Sequence, residues 1–190
     1  MLQLKPEILT HPHIPKPLHG LNPRTLMGDI WWNVERKKAY DRTGYRCIAC
    51  GVPKHLAKKH KWLEAHEFWS INYETGVCEV KSIEPLCHYC HNFIHSGRLS
   101  MILNKEKSRT EIKEILEHGF KILADNNLNA FPFTIDFAQT IGARTFGVKA
   151  YNLPKNAETL KWGDYKMIFN GKEYPPLHNS HAEWKHFYNK

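Results

Sequence analysis

Cys47-Ile-Ala-Cys50 and Cys87-His-Tyr-Cys90 bracket Leu63-Glu-Ala-His66-Glu67, and the second pair runs on into His91-Asn-Phe-Ile-His95. Two Cys-x-x-Cys pairs supply four thiolates, the donor set of a tetrahedral zinc ion. In a chain with an odd total of five cysteines, paired spacing of this kind points to metal rather than to disulfides. Four thiolates leave no open position for water, so Zn2+ held by Cys47, Cys50, Cys87 and Cys90 is expected to be structural. Histidines crowded around such a centre are the residue type that binds a second metal or moves protons near neutral pH. Cys78 stands outside both pairs and reads as a small buried hydrophobe.

Working outward, the 36 residues between Cys50 and Cys87 are too many for a simple zinc ribbon, so something folded fills the gap. Trp62 to Ile71 and Val77 to Ile83 are rich in β-formers, and Asn72-Tyr-Glu-Thr-Gly76 between them carries turn residues, which predicts a hairpin. The spacing of His91, Phe93, Ile94 and His95 predicts a helix starting at Cys90, with Gly97 as an early interruption. The predicted order is knuckle, strand, strand, knuckle, helix.

Upstream, five prolines within the first 25 residues argue for an extended arm over 1–28, and its His11, His13 and His19 are assigned no site. From Asp29, Ile30-Trp-Trp-Asn-Val-Glu-Arg-Lys-Lys-Ala-Tyr40 predicts an amphipathic helix with one apolar face, stopped by Gly44. Downstream, Ser108-Arg-Thr-Glu111 is a capping-box sequence before a helix ended by Asp125-Asn-Asn. Tyr165 to Tyr174 around Asn170-Gly171 predicts a second hairpin, and Ser180-His-Ala-Glu183 caps a last short helix. The fold class is therefore α+β. A core over 29–108 holds the zinc site, and an α/β accessory region over 109–190 follows it.

Lys plus Arg number 27 against 19 for Asp plus Glu, a formal charge of +8 that favours a polyanionic partner. The N-terminus offers no apolar leader and no run approaches the roughly 18 apolar residues of a membrane span. A cytoplasmic, reducing location is expected, with no membrane partner.

The pattern Cys-x-x-Cys, Leu-Glu-Ala-His66-Glu, then Leu86-Cys-x-x-Cys-His91 with His95 resembles the HNH, or ββα-metal, endonucleases over about residues 29–100. Asn22-Pro-Arg-Thr-Leu-Met-Gly28 with Trp31 and Trp32 is similar to HNH proteins of phages. The resemblance implies a small ββα-metal core and hydrolysis of DNA phosphodiester bonds, leaving a 5′ phosphate and a 3′ hydroxyl. It also implies one divalent ion on the scissile phosphate, Mg2+, Mn2+ or another, beside the structural zinc. His66 is the expected general base. His91 and His95, spaced i, i+4 on one helix face, are the expected ligands of the catalytic ion, and Glu64 or Glu67 would complete its shell. The family places an acid or histidine before the base where this chain has Ala65, and it has a middle asparagine whose nearest counterpart here is Glu84. A register shifted by one would make His66 a metal ligand and put Glu67 in the position of the base.

His88 sits inside the second knuckle and is expected at the surface or against a phosphate. Lys54-His-Leu-Ala-Lys-Lys-His-Lys61 reads as a basic loop. Its Lys54, Lys58, Lys59 and Lys61, together with Arg98, are the expected phosphate contacts, and Arg36, Lys37 and Lys38 add charge nearby. DNA is the expected polymer ahead of RNA, and the C-terminal region is the expected place for a homodimer or partner-protein contact. The competing reading is a noncatalytic zinc-knuckle protein that binds nucleic acid through this loop and needs no catalytic ion.

Overall fold

The hairpin between the knuckles is formed by Glu64–Asn72 (β1) and Val77–Leu86 (β2). Its turn is stapled by the Asn72 carboxamide oxygen, which accepts the backbone N–H groups of Glu74 at 2.9 Å and Thr75 at 3.1 Å. Gly76 closes the turn at φ +72°, and a Cβ there would stand 3.0 Å from the Asp164 carbonyl oxygen. β2 runs three residues past the expected Ile83, because Glu84, Pro85 and Leu86 continue it as a fully buried run. The computed structural model describes residues 2–10, 14–95, 109–128 and 160–188. Arg98, Gly97, Ser108, His11 and His13 lie outside them.

The described elements are four α-helices and one mixed sheet in the order β1-β2-β3-β4. α1 spans Pro23–Arg42, starting earlier than Asp29, because Asn22 and Thr25 cap it reciprocally. Gly28, at φ +82°, breaks its first turns. Its end is a Schellman turn, in which Gly44 N–H reaches Asp41 O at 3.0 Å and Tyr45 N–H reaches Tyr40 O at 2.8 Å. The expected single apolar face is only partly realised, since Ile30 is 86% exposed while Trp31 packs edge-on against Phe169. Apolar residues at 30, 31, 32 and 34 point in too many directions for one helix stripe to bury them all.

His88–Ile94 forms α2, and Arg109–Asp125 forms α3, which ends in a second Schellman turn around Asn127 at φ +53°. Lys166–Phe169 (β3) and Lys172–Tyr174 (β4) pair across Asn170-Gly171, both at positive φ as a type I′ turn requires. β3 also pairs in parallel with β2, Cys78 opposite Met167, so the predicted accessory hairpin completes the same sheet. α4 is His181–Tyr188, and Ser180 Oγ accepts the Glu183 N–H at 3.2 Å. Among the described residues no helix is long and apolar enough to cross a membrane.

These elements fall into two units that interleave along the chain. The first comprises Met1–His11, Arg36–His66 and Glu84–Tyr151, and carries both knuckles, α2 and α3. Its N-terminal segment is a 3-10 turn at Pro6–Thr10 rather than an extended arm. Ile8 and Leu9 are buried there, and the turn packs on α2 and α3. Full burial of side chains such as these contributes about 2 kcal/mol each. Lys5 and Arg42 meet the buried Glu84 carboxylate at 2.8 and 2.9 Å, tying chain start, α1 and β2 together. Phe93 of α2 lies flat against Gly119 of α3, where a Cβ would come within 2.1 Å of the ring. The second unit comprises Pro12–Glu35, Glu67–Ile83 and Asn152–Lys190. Its core is built on Trp69, Cys78, Val80, Met167 and Phe169.

Candidate metal centre

The first knuckle turns because Gly51, at φ +73°, lets its N–H reach Cys47 O at 2.8 Å while Cys47 N–H reaches Val52 O at 2.9 Å. The second turns because Cys87 is the residue that starts α2, its carbonyl accepting the His91 N–H at 2.9 Å. The result gathers the sulfurs of Cys47, Cys50, Cys87 and Cys90 within 4.8 Å of one another. All are free thiols, and the Cys50 to Cys87 separation is 3.8 Å. Zinc to sulfur bonds of about 2.3 Å in a tetrahedron put the sulfurs about 3.8 Å apart, whereas a disulfide needs about 2.05 Å. The four cysteines therefore fit a metal ion.

Burial works against a Cys47 thiolate, but S–H groups of Cys50, Cys87 and Cys90 aimed at it outweigh burial and hold its pKa down. The same contacts with Cys47 and Cys50 push Cys87 and Cys90 up, so without a cation the cluster cannot carry four negative charges. The His118 imidazole of α3 adds a polar contact, Nε2 lying 3.4 Å from Cys90 Sγ and 4.0 Å from Cys87 Sγ. Cys78 is not a member of the cluster, and burial pushes its thiol up to about 12.

The second cluster faces the start of the hairpin. β1 supplies His66, only 3% exposed, and α2 supplies His91 and His95 one turn apart. One nitrogen from each of the three lies within 4.8 Å of the others. His91 Nε2 and His95 Nε2 are 3.0 Å apart. Two ligands at right angles on an ion with bonds of about 2.1 Å would be about 3.0 Å apart, so this pair is spaced for one ion. The His66 ring meets those of His91 and His95 edge to face at centroid distances of 5.3 and 4.9 Å.

Glu64, two residues before His66 on β1, braces this cluster from behind. One carboxylate oxygen takes His91 Nδ1 at 2.5 Å and the other takes His88 Nδ1 at 2.9 Å. Burial raises the pKa of Glu64, but the hydrogen bonds and charges of His88 and His91 outweigh it and keep the carboxyl ionised far below its ordinary range. The hydrogen bond to Glu64 in turn raises His88, against the opposing effect of burial. Glu111 of α3 holds the other face of His88 at 3.2 Å and is itself paired with Lys59 at 2.8 Å. Asn92, buried on α2, donates to the His88 carbonyl at 2.9 Å.

Set against the sequence-based expectations, the structure brings Cys47, Cys50, Cys87 and Cys90 together, and separately His66, His91 and His95. Glu67 is outside the histidine group, since alternation along β1 turns it away from the face of His66. Glu84 is engaged by Lys5 and Arg42 and takes no part in either cluster. His88 is a correction: rather than lying at the surface it is clamped between Glu64 and Glu111. Lys54, Lys58, Lys59 and Lys61 are exposed along the basic loop, with His60 stacked on the exposed Trp62 at 4.0 Å. Sequence reasoning missed His118, Glu111 and Asn92. The capping-box helix carrying the first two gave no sign that it packs on α2. No protein-family model, curated protein or solved structure matches the chain.

Proposed function

We propose that this chain is a metal-dependent endonuclease of the HNH type that hydrolyses DNA phosphodiester bonds. His66 is its general base, His91 and His95 hold the divalent ion, and the four cysteines hold a structural zinc. The observation that carries this reading is the convergence of three imidazoles from a strand and a helix, in a chain whose four-thiol cluster includes the start of that same helix. A divalent ion bound by the histidines would supply charge neutralisation on the phosphoryl oxygens and support for the leaving 3′ oxygen. The chain's own residues do the rest. His66 accepts a proton from the attacking water through the lone pair of its imidazole. Glu64 fixes the His91 ring, and Lys54, Lys58, Lys59 and Lys61 offer charge to the DNA backbone.

The burial of His66 against His91 and His95 favours a second assignment, in which His66 is a third imidazole ligand and Glu67 is the base. Supercoiled-plasmid cleavage with Mg2+, Mn2+ or chelator, run beside ion titration of the same proteins, separates the two. If His66 is the base, His66→Ala keeps the ion and loses cleavage by about 10²–10⁴-fold. If it is a ligand, His66→Ala loses the ion as well, and Glu67→Gln becomes the variant that binds but does not cut. Wild-type protein that cleaves no plasmid with either ion, yet binds DNA in a salt-sensitive way, overturns the nuclease reading in favour of a noncatalytic binder.

A further inference from the structure

We propose that Glu64 is a positioning residue for the histidine cluster: its carboxylate accepts the His91 Nδ1–H and so reserves His91 Nε2, the nitrogen facing His95, for a metal ion. This inference rests on the ion site of the proposed function, but not on the chemistry assigned to it.

Three observations carry it. First, both Glu64 oxygens are already committed, one to His91 at 2.5 Å and one to His88 at 2.9 Å, so the carboxylate works behind the imidazoles rather than as a member of the ligand group. Second, a neutral imidazole has one N–H and one lone pair, and a carboxylate at Nδ1 can only accept, which places the proton on Nδ1 and the lone pair on Nε2. Free imidazole in water favours the opposite tautomer, so the carboxylate reverses the default. Third, Glu64 is itself held. His88 is fixed on its far side by Glu111 at 3.2 Å, Glu111 by Lys59 at 2.8 Å, and the His88 carbonyl by Asn92 at 2.9 Å. A carboxylate anchored this way sets the rotation of the His91 ring as well as its tautomer, the arrangement by which outer-shell carboxylates raise the affinity of metal-binding histidines.

The test uses the full chain with its zinc loaded, and Mn2+ as the titrant, followed by calorimetry. Glu64→Ala is expected to weaken Mn2+ binding by about 10–100-fold. Glu64→Gln, which keeps an acceptor oxygen without the charge, is expected to fall between Glu64→Ala and wild type. Zinc content and thermal midpoint are expected to hold in both. Histidine ¹⁵N shifts of the Mn2+-free protein give a readout that a merely structural residue would not move: His91 protonated on Nδ1 in wild type, and on Nε2 in Glu64→Ala. Mn2+ affinity in Glu64→Ala within twofold of wild type overturns the inference, as does a wild type that binds no ion beyond zinc. Normal plasmid cleavage alongside a flat affinity series would remove Glu64's role and leave the nuclease reading standing. The expected affinity series in a protein that cuts no DNA would do the reverse.

Discussion

The four cysteines and the three histidines both draw on α2, yet they are built on opposite principles. The cysteine group is enclosed: Cys47, Cys87 and Cys90 are buried, and four thiolates complete a tetrahedron with nothing left over. The histidine group offers only three nitrogens, and two of its members, His91 and His95, are partly open to solvent. Two or three imidazole ligands leave coordination positions open on an ion, which four thiolates do not. One centre is suited to holding the chain and the other to acting on something that arrives from outside. Fold and activity should then be separable by attacking one cluster at a time.

The largest effect is expected from Cys87→Ser. It removes a thiolate and alters the residue from which α2 starts, so the variant should lose zinc and with it the structure of the first unit. Structural zinc sites contribute on the order of 10 kcal/mol to folding. Zinc content and circular dichroism read this directly. A Cys87→Ser protein that keeps its helix signal and melting transition would show that the cysteine group does not support the fold, and the contrast between the clusters would collapse.

Much of this contrast is legible in the sequence because ligands for one ion come in short-range pairs. Cys-x-x-Cys and His-x-x-x-His each announce themselves within five residues, and Asn72…Gly76 and Asn170-Gly171 mark both hairpins through backbone needs that few residues meet. What supports the clusters is not legible in this way. Glu64 reaches His88 across 24 positions, Lys59 reaches Glu111 across 52, and His118 reaches Cys90 across 28. No local period links such partners. The parallel pairing of β2 with β3 was hidden for the same reason, since strands read singly as hairpin members carry no mark of a third neighbour. The Pro6–Thr10 turn was missed because two apolar residues, Ile8 and Leu9, are too few to form a periodic pattern.

A middle-sized effect is expected from Gly119→Ala, which tests whether the two clusters depend on the same packing. The added methyl would come within 2.1 Å of the Phe93 ring, and Phe93 sits on α2 between His91 and His95. Overpacking of this kind costs about 1–3 kcal/mol, partly offset by the better helix propensity of alanine. Thermal unfolding should show the loss. Divalent-ion affinity should fall with it if the clash is relieved by a shift of α2, whose turn spans both histidines. A variant that is destabilised but binds Mn2+ as wild type does would mean that α2 tolerates displacement, and that the histidine spacing is set from β1 instead.

The smallest effect, and the sharpest for the comparison, belongs to His118→Ala. His118 Nε2 approaches the Cys90 and Cys87 sulfurs at 3.4 and 4.0 Å, and has no place in the histidine group. An N–H donated to a metal-bound thiolate spreads its charge and fixes its direction, so removing the imidazole should weaken zinc binding by about tenfold in a chelator competition. Mn2+ affinity at the histidine group should not change, because Glu64, His88 and Glu111 brace that side without His118. If zinc affinity falls alone, α3 serves the two centres through different residues, His118 for the closed one and Glu111 for the open one. If Mn2+ affinity falls in step, the helix transmits changes between them, and the enclosed centre is no longer merely structural but a determinant of how the open one binds.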